Sequence, residues 1–546
     1  MGTYLNPGDS LFRKEVATDP YVDKTEMISC LNAVTITTDK CVCVTRPRGF
    51  GKTYAVDMVS AYYGRGDDSR EVFGGLKLAR TAPAKNGCGP LAWDAYLGKF
   101  DVIRLAMTEF FGEGMPFEEG LDRLQECVVS ELKEAYPDVR LPEDGRLLRA
   151  VQRVYLATGR QFVVVIDDWD AIFRSTYYDE EDQERYTDFL RDLLKDQMHV
   201  ALAYMTGILP IKKFGNGSGL NCFREFSMTD VSELAPYVGL TEDEVRDLCD
   251  RNGCDFDAVR KSCGGYKVRG VAPLPEGGGL RGAPPRYSLC RSQSVVEAVT
   301  TGKVTSHWNQ TEPYEALDEY ITKDLEGLKE KVALLMDGSS IKIRTFGFAN
   351  DMTTFRRADD VLTLLVHLGC LAFDVDTSEA RIPNCEAMEA FLEVTGGGDW
   401  QNAFKSLEAS RELLEATLAM DTERVADLFG RACDRAGMVD FGGTDARDRA
   451  IRDAYFAVLA HHAEVSWFDW EGDFDVAYVP APSHPEMPAL VVRLRRGRDA
   501  TTELSRIRNG RPVTFKQYTG DMLLVSISYD TDAPGHDRYS CVIDQA

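Results

Sequence analysis

The stretch Cys41-Val-Cys-Val-Thr-Arg-Pro-Arg-Gly-Phe-Gly-Lys-Thr53 constrains the fold of this chain more than any other. Its apolar start, Val42 to Val44, predicts a short buried strand, followed by a loop and a helix opening at Lys52. A strand, a loop ending Gly-Lys-Thr and a helix form a device for holding a polyphosphate. Backbone N–H groups around Gly49 and Gly51 would converge on the phosphates at the positive end of the new helix. Lys52 would reach the β- and γ-phosphates, and the Thr53 hydroxyl would bind Mg²⁺. Arg46, Arg48, Gly49, Phe50, Gly51, Lys52 and Thr53 are thus the expected ATP cradle. The strict pattern asks for Gly where this chain has Arg46, so a chance Gly-Lys-Thr in a surface turn is the competing reading.

A second stretch, Gln161-Phe-Val-Val-Val-Ile-Asp-Asp-Trp-Asp170, favours the nucleotide site. Val163 to Ile166 form an unbroken apolar run, as in a strand covered on both faces of a parallel sheet. Asp167 follows at the carboxyl end of that strand, where it would hold Mg²⁺ through water. Asp168 stands where a water-activating carboxylate is wanted. A buried strand ended by an acidic turn is the plainer alternative. Val102 to Met107 and Val200 to Thr206 read as further strands, with helical patterns near 117–135, 146–158 and 180–195 between them. That alternation predicts an α/β fold with a parallel sheet. Thr206 ends its strand as either a γ-phosphate sensor or a simple strand cap.

At 546 residues two to four domains are expected. The net charge of −25 disfavours non-specific binding of nucleic acid by the chain as a whole. Fourteen cysteines without paired spacing suit reduced thiols in a cytoplasmic protein, and seven histidines lack a metal-binding arrangement. No apolar run approaches the roughly 18 residues of a membrane span.

The loop Thr45-Arg-Pro-Arg-Gly-Phe-Gly-Lys-Thr53 resembles that of the bacterial AAA-ATPase-like proteins ending in a PD-(D/E)XK nuclease-type domain, in which Arg also replaces the first Gly. Tyr21-Val-Asp-Lys-Thr25, Thr206-Gly-Ile-Leu209, Ser218-Gly-Leu-Asn221, Thr241-Glu-Asp-Glu-Val245, Asn350-Asp-Met-Thr-Thr-Phe355, Asp360-Val-Leu-Thr-Leu-Leu365, His367-Leu-Gly369 and Ile382-Pro-Asn384 are similar to its further signatures. The resemblance runs from about residue 20 to the C-terminus. It implies a P-loop domain over 1–230, a mostly helical, winged-helix-like lid over 231–395, and a helical linker with a small PD-(D/E)XK-like α/β domain over 396–546. Gly264 to Pro285 reads as a long hairpin or mobile loop with no packing face. The family usually carries Asp-Glu-Tyr-Asp where this chain has Asp167-Asp-Trp-Asp170, so Asp168 is one methylene short for positioning water. Arg46, Arg48 and Arg224 are the candidates for an arginine finger.

A nuclease of this type needs an acid on one strand and Glu-x-Lys on the next, sharing a strand face. Asp475 matches the first acid, but Arg493-Leu-Arg495 occupies the Glu-x-Lys position. The family's helical acid falls near Thr444-Asp445 and its later Gln falls at Arg506. The resemblance therefore implies a nuclease-type domain without metal-dependent chemistry, Asp475 pairing with Arg493 or Arg495. Arg493, Arg495, Arg496, Arg498, Arg506, Arg508 and Arg511 are either a patch for nucleic acid or partners in intradomain salt bridges. The protein partner is not legible.

Overall fold

The computed structural model describes residues 2–80, 84–86, 89–211, 220–230, 232–271, 283–304, 312–323, 325–396, 398–435, 444–464, 475–497, 499–509, 520–533 and 538–546. Ser218, Phe474, Arg498 and Arg511 lie outside the described residues, as does residue 231 at the first expected boundary.

Five parallel strands make the first sheet: β1 (Cys41–Thr45), β2 (Asp101–Ala106), β3 (Phe162–Asp167), β4 (Val200–Gly207) and β5 (Arg224–Phe226), in spatial order β2-β3-β4-β1-β5. Every residue of β1, β3 and β4 is buried. Alternation along the strands explains why. Val42, Val44, Val163, Val165, Leu202 and Tyr204 pack with α1 (Lys52–Tyr63) on one face. Cys43, Val164, Ile166, Ala203 and Met205 pack on the other with α2 (Phe117–Ala135), α3 (Leu147–Thr158) and, beyond a short α4 (Ala171–Arg174), α5 (Glu180–Leu194). With both faces covered, the strands carry apolar residues at every position rather than at every second one. Each fully buried Val or Ile contributes roughly 1.5–3 kcal/mol. The expected parallel α/β sheet is present.

The register sets up the site. Val44 lies opposite Thr206, Thr45 opposite Gly207, and Ile166 opposite Met205, so the carboxyl ends of β1, β4 and β3 stand side by side. β4 separates the loop strand from the acidic strand.

Next comes a mainly helical region. Its first helix, α6 (Glu242–Asn252), opens with the Thr241/Glu244 capping box and is followed by α7 (Phe256–Cys263). Strands β6 (Leu240–Thr241), β7 (Tyr266–Arg269) and β8 (Arg286–Cys290) form an antiparallel sheet in the order β6-β8-β7, and α8 (Ser292–Thr301) follows directly. The hairpin alternative for 264–285 is the one present, but it does have a packing face: Tyr266 and Val268 are buried in the core, as is Leu289 on the following arm. β7 alternates buried and more open positions, whereas β8 is buried only at Leu289 and Cys290; residues 272–282 lie outside the described residues. Helix α9 (Ala358–Leu368) follows, with every residue but Asp359 buried, and a small sheet is formed by β9 (Ile341–Lys342), β10 (Ala372–Asp374) and β11 (Glu379–Arg381) in the order β9-β11-β10.

The last part begins with the helix pair α10 (Gly398–Leu418) and α11 (Thr422–Arg435), then α12 (Thr444–Ala454). A mixed sheet follows: β12 (His462–Glu464), β13 (Val476–Pro480), β14 (Ala489–Arg496), β15 (Met522–Tyr529) and β16 (Tyr539–Gln545), in that spatial order. Only β14 and β15 are parallel, joined through α13 (Ala500–Asn509). Among the described residues no helix is long and apolar enough to cross a membrane.

Candidate nucleotide site

The loop between β1 and α1 is built around two left-handed glycines, Gly49 at φ +81° and Gly51 at φ +87°, with Phe50 outside that region. Alternation of this kind turns successive N–H groups toward one concave side, which attracts anions. Arg46 is not in the left-handed region, so a side chain is allowed where the strict pattern has Gly.

Three expected residues meet at the mouth of this loop. The Thr53 hydroxyl donates to Asp167 Oδ2 at 2.8 Å, joining the loop helix to the end of β3 across β4. Lys52 Nζ lies over the loop and donates to the carbonyls of Arg46 at 3.1 Å and Pro47 at 3.2 Å. Burial depresses the Lys52 ammonium against the pull of Asp168, Asp170 and Asp167. Burial and the neighbouring Asp168 push the Asp167 carboxyl up to about 6, against the opposing effects of Thr53 and Lys52. A buried carboxylate against a hydroxyl, facing a lysine, is a donor set that suits Mg²⁺ and polyphosphate.

Asp168 occupies the left-handed region, at φ +49°, and remains partly exposed. Arg174 Nη2 stands 3.6 Å from its Oδ1, while Arg174 Nε lies 3.2 Å from Asp170 Oδ2. The fully buried Asp170 also accepts from the N–H groups of Ile208 and Leu209 at 3.0 and 2.7 Å, lashing the end of β3 to the end of β4. Sequence reasoning gave Asp170 and Arg174 no role. Their i, i+4 spacing on a helical turn was the available signal.

Four expectations are corrected. The Arg46 guanidinium is buried and donates to the carbonyls of Thr45 at 2.9 Å and Phe226 at 3.2 Å; burial pulls it down to about 10. It ties the end of β1 to the end of β5 and is unavailable as a phosphate ligand or arginine finger. Phe50 turns its ring away, edge-on to Tyr266 at 5.1 Å between centroids, leaving only its backbone to the cradle. Thr206 is fully buried and donates its hydroxyl proton to the Val44 carbonyl at 2.7 Å, which makes it a tie between strands and not a γ-phosphate sensor. Arg224 pairs with Glu233 at 3.1 Å, and its strand position lies opposite Val42, below the loop end. Arg48 alone among the finger candidates is exposed at the loop.

The helical region reaches into the loop. Arg291 Nε donates to the Arg48 carbonyl at 3.2 Å, the Gln293 N–H to the Gly49 carbonyl at 2.9 Å, and the Ser292 hydroxyl to the Phe50 carbonyl at 3.3 Å. Arg291 is held from behind by Glu386 at 3.7 Å, with both side chains buried. Gly369, at the end of α9, rests against Pro47, and the Tyr266 hydroxyl donates to its carbonyl at 2.8 Å. No pattern pointed to 291–293, since Arg291 and Arg48 are 243 positions apart.

At the C-terminal acid site, Arg495 is the one of the two expected arginines that pairs with Asp475. Arg495 Nη1 grips both oxygens of Asp475, at 2.5 and 2.6 Å, and the Leu494 N–H donates to Asp475 Oδ2 at 2.6 Å. Arg447 Nε adds a second cation at 3.6 Å. Arg493 does not join them. Helix α13 packs across β14 and brings Glu503 to within 2.6 Å of Arg493 Nε, both side chains being at most 2% exposed. Arg506 also pairs with Glu503, Arg508 with Asp544, and Arg496 donates to the Thr531 hydroxyl at 2.6 Å. Among the described residues, the arginines read as a patch for nucleic acid are thus engaged within the unit.

Residues 12–215 match the model of a family described as AAA-ATPase-like, predicted AAA-ATPase. The first unit therefore carries a AAA-ATPase-like domain. A search of curated proteins found no match. Among solved structures the chain is similar to the Orc1 protein of Aeropyrum pernix in complex with DNA, at 12% identity and TM-score 0.27, over 70% of this chain and 96% of that one. It is similar to Cdc6p of Pyrobaculum aerophilum at 12% and 0.24, over 71% and 97%, and to the Orc2 protein of A. pernix, in ADPNP-ADP complexes, at 11% and 0.30, over 72% and 98%. Likeness at this level says nothing about what this chain binds.

Proposed function

We propose that the chain binds ATP·Mg²⁺ in the loop 46–53 and hydrolyses it slowly. The observation that carries this reading is the 2.8 Å bond between Thr53 and Asp167 in front of Lys52. Gly49, Phe50 and Gly51 would supply N–H groups to the phosphates, and Lys52 would exchange its two carbonyl partners for phosphate oxygens. Thr53 and Asp167 would hold Mg²⁺, which neutralises phosphate charge when bound. Asp168 would orient the attacking water. A second reading, a switch that binds without hydrolysing, is favoured by the engagement of Asp168 with Arg174 and by its shortness relative to Glu.

The C-terminal unit is, on this proposal, nuclease-type in fold and without the chemistry. What supports it is Asp475 hemmed by Arg495 and Arg447, which leaves no net negative charge to attract a divalent ion. The free thiol state of every described cysteine suits a cytoplasmic protein.

The test is ATP-dependent stabilisation in wild type and Lys52→Ala. At about 100 times the dissociation constant, ligand should stabilise wild type by about 2.7 kcal/mol. The variant should lose this, and equal melting shifts in both proteins would sink the site. Turnover in wild type, measured alongside, separates the slow ATPase from the silent switch.

A further inference from the structure

The carbonyls of the phosphate loop are fully occupied, and their partners come from two places. Those of Arg46 and Pro47 accept from Lys52 Nζ, and that of Gly51 accepts from the Ala55 N–H within α1. The three between, of Arg48, Gly49 and Phe50, accept from consecutive residues of the helical region: Arg291 Nε, Gln293 N–H and the Ser292 hydroxyl.

In a planar trans peptide the C=O of one residue and the N–H of the next point in opposite directions. The carbonyls of Arg48, Gly49 and Phe50 belong to the same peptide units as the N–H groups of Gly49, Phe50 and Gly51. Drawing the carbonyls outward toward 291–293 therefore aims those three N–H groups inward. They have no hydrogen-bond partner among the described residues. Two glycines at φ +81° and +87° allow many other orientations, so the loop's own sequence does not fix this one. The fit at Gly49 is close, since a Cβ there would lie 2.5 Å from Arg291 Nε.

We infer that Arg291, Ser292 and Gln293 are positioning residues for the phosphate-binding N–H groups, so that the helical region sets the affinity of the loop for polyphosphate. Glu386 belongs to the same device, because its buried carboxylate holds Arg291 at 3.7 Å and accepts from the Ser294 hydroxyl at 3.1 Å. These residues act through the loop backbone and need not touch nucleotide. The inference rests on the proposed nucleotide site and names what regulates it.

The experiment measures dissociation constants for ADP, ATP·Mg²⁺ and AMP on the full chain, comparing wild type with Ser292→Ala and the charge-matched double variant Arg291→Gln/Glu386→Gln. Ser292→Ala removes one hydroxyl from a partly buried contact and is expected to leave folding intact. Loss of one such hydrogen bond corresponds to roughly two- to tenfold in affinity. ADP and ATP should weaken together by about that factor in Ser292→Ala and by more in the double variant. AMP, which has no β-phosphate for these N–H groups, should bind as to wild type. Unchanged ADP affinity in both folded variants, or a loss shared equally by AMP, overturns the positioning role while leaving the nucleotide site standing. Failure of wild type to bind ADP or ATP overturns both.

Discussion

Replacing Asp167 by Asn should make the protein more stable while removing its Mg²⁺-dependent binding of nucleotide. The folded chain raises this carboxyl from its ordinary 3.8 to about 6, first through burial and then through Asp168. The folded protein thus holds the proton more tightly than the unfolded chain. Stability falls as pH climbs from the ordinary value to about 6, and the loss is complete above it. At roughly 1.4 kcal/mol per tenfold in proton affinity, the rise corresponds to about 3 kcal/mol at pH 8. Asn carries no charge and its Oδ1 can still accept from Thr53, so the variant avoids most of that loss. We expect it to exceed wild type by about 2–3 kcal/mol at pH 8, and by roughly half as much at pH 5. Denaturant titration in chelator, followed by fluorescence of the buried Trp169, reads the difference. A variant less stable than wild type at pH 8, or a gap that does not narrow at pH 5, would refute the reasoning.

If Asp168 is too short to orient water, Asp168→Glu should raise kcat with little change in affinity, and a fall from an already brisk wild-type rate would contradict that. Mg²⁺-dependent nucleotide binding should weaken below about pH 6 as Asp167 takes up its proton; binding flat from pH 5 to 8 counts against the metal role. Glu503→Gln should destabilise by roughly 3–5 kcal/mol, because it strands buried Arg493, whereas Arg493→Met with Glu503→Leu should cost far less; equal losses would mean that the pair is not the source. Purified protein should cleave neither DNA nor RNA with Mg²⁺ or Mn²⁺, and cleavage abolished by Asp475→Ala in a folded variant would restore the nuclease.

The candidate site is legible in the sequence where one short segment carries the whole geometry. Val42 to Thr53 and Val163 to Asp167 each hold strand, turn and polar group together, so their periodicity and endings report the structure directly. Legibility failed where side-chain direction depends on a distant neighbour. Arg46 reads as a loop residue in the sequence, yet β5 supplies a carbonyl 180 positions away that draws it beneath the loop. Arg493 and Arg495 share a strand face, but α13 supplies Glu503 to one and leaves Asp475 to the other. The hairpin of β7 and β8 is legible as one alternative, but its packing face is not, because Gly and Pro dominate between the arms and only a few buried positions mark each arm.

Helix α9 is apolar nearly all round, as a helix enclosed on every side must be. Here Val361, Leu362, Leu364, Leu365, Val366 and Leu368 are all buried. At about 1.5–3 kcal/mol each, freeing them would cost roughly 9–18 kcal/mol, as much as the whole stability of an ordinary domain. This helix therefore stays enclosed. It works as a strut: rooted in the core along its length, it ends at Gly369, which bears on Pro47 and anchors the Tyr266 hydroxyl behind Phe50. Substituting Gly369, far along the chain from any phosphate ligand, would push directly on the loop that holds them.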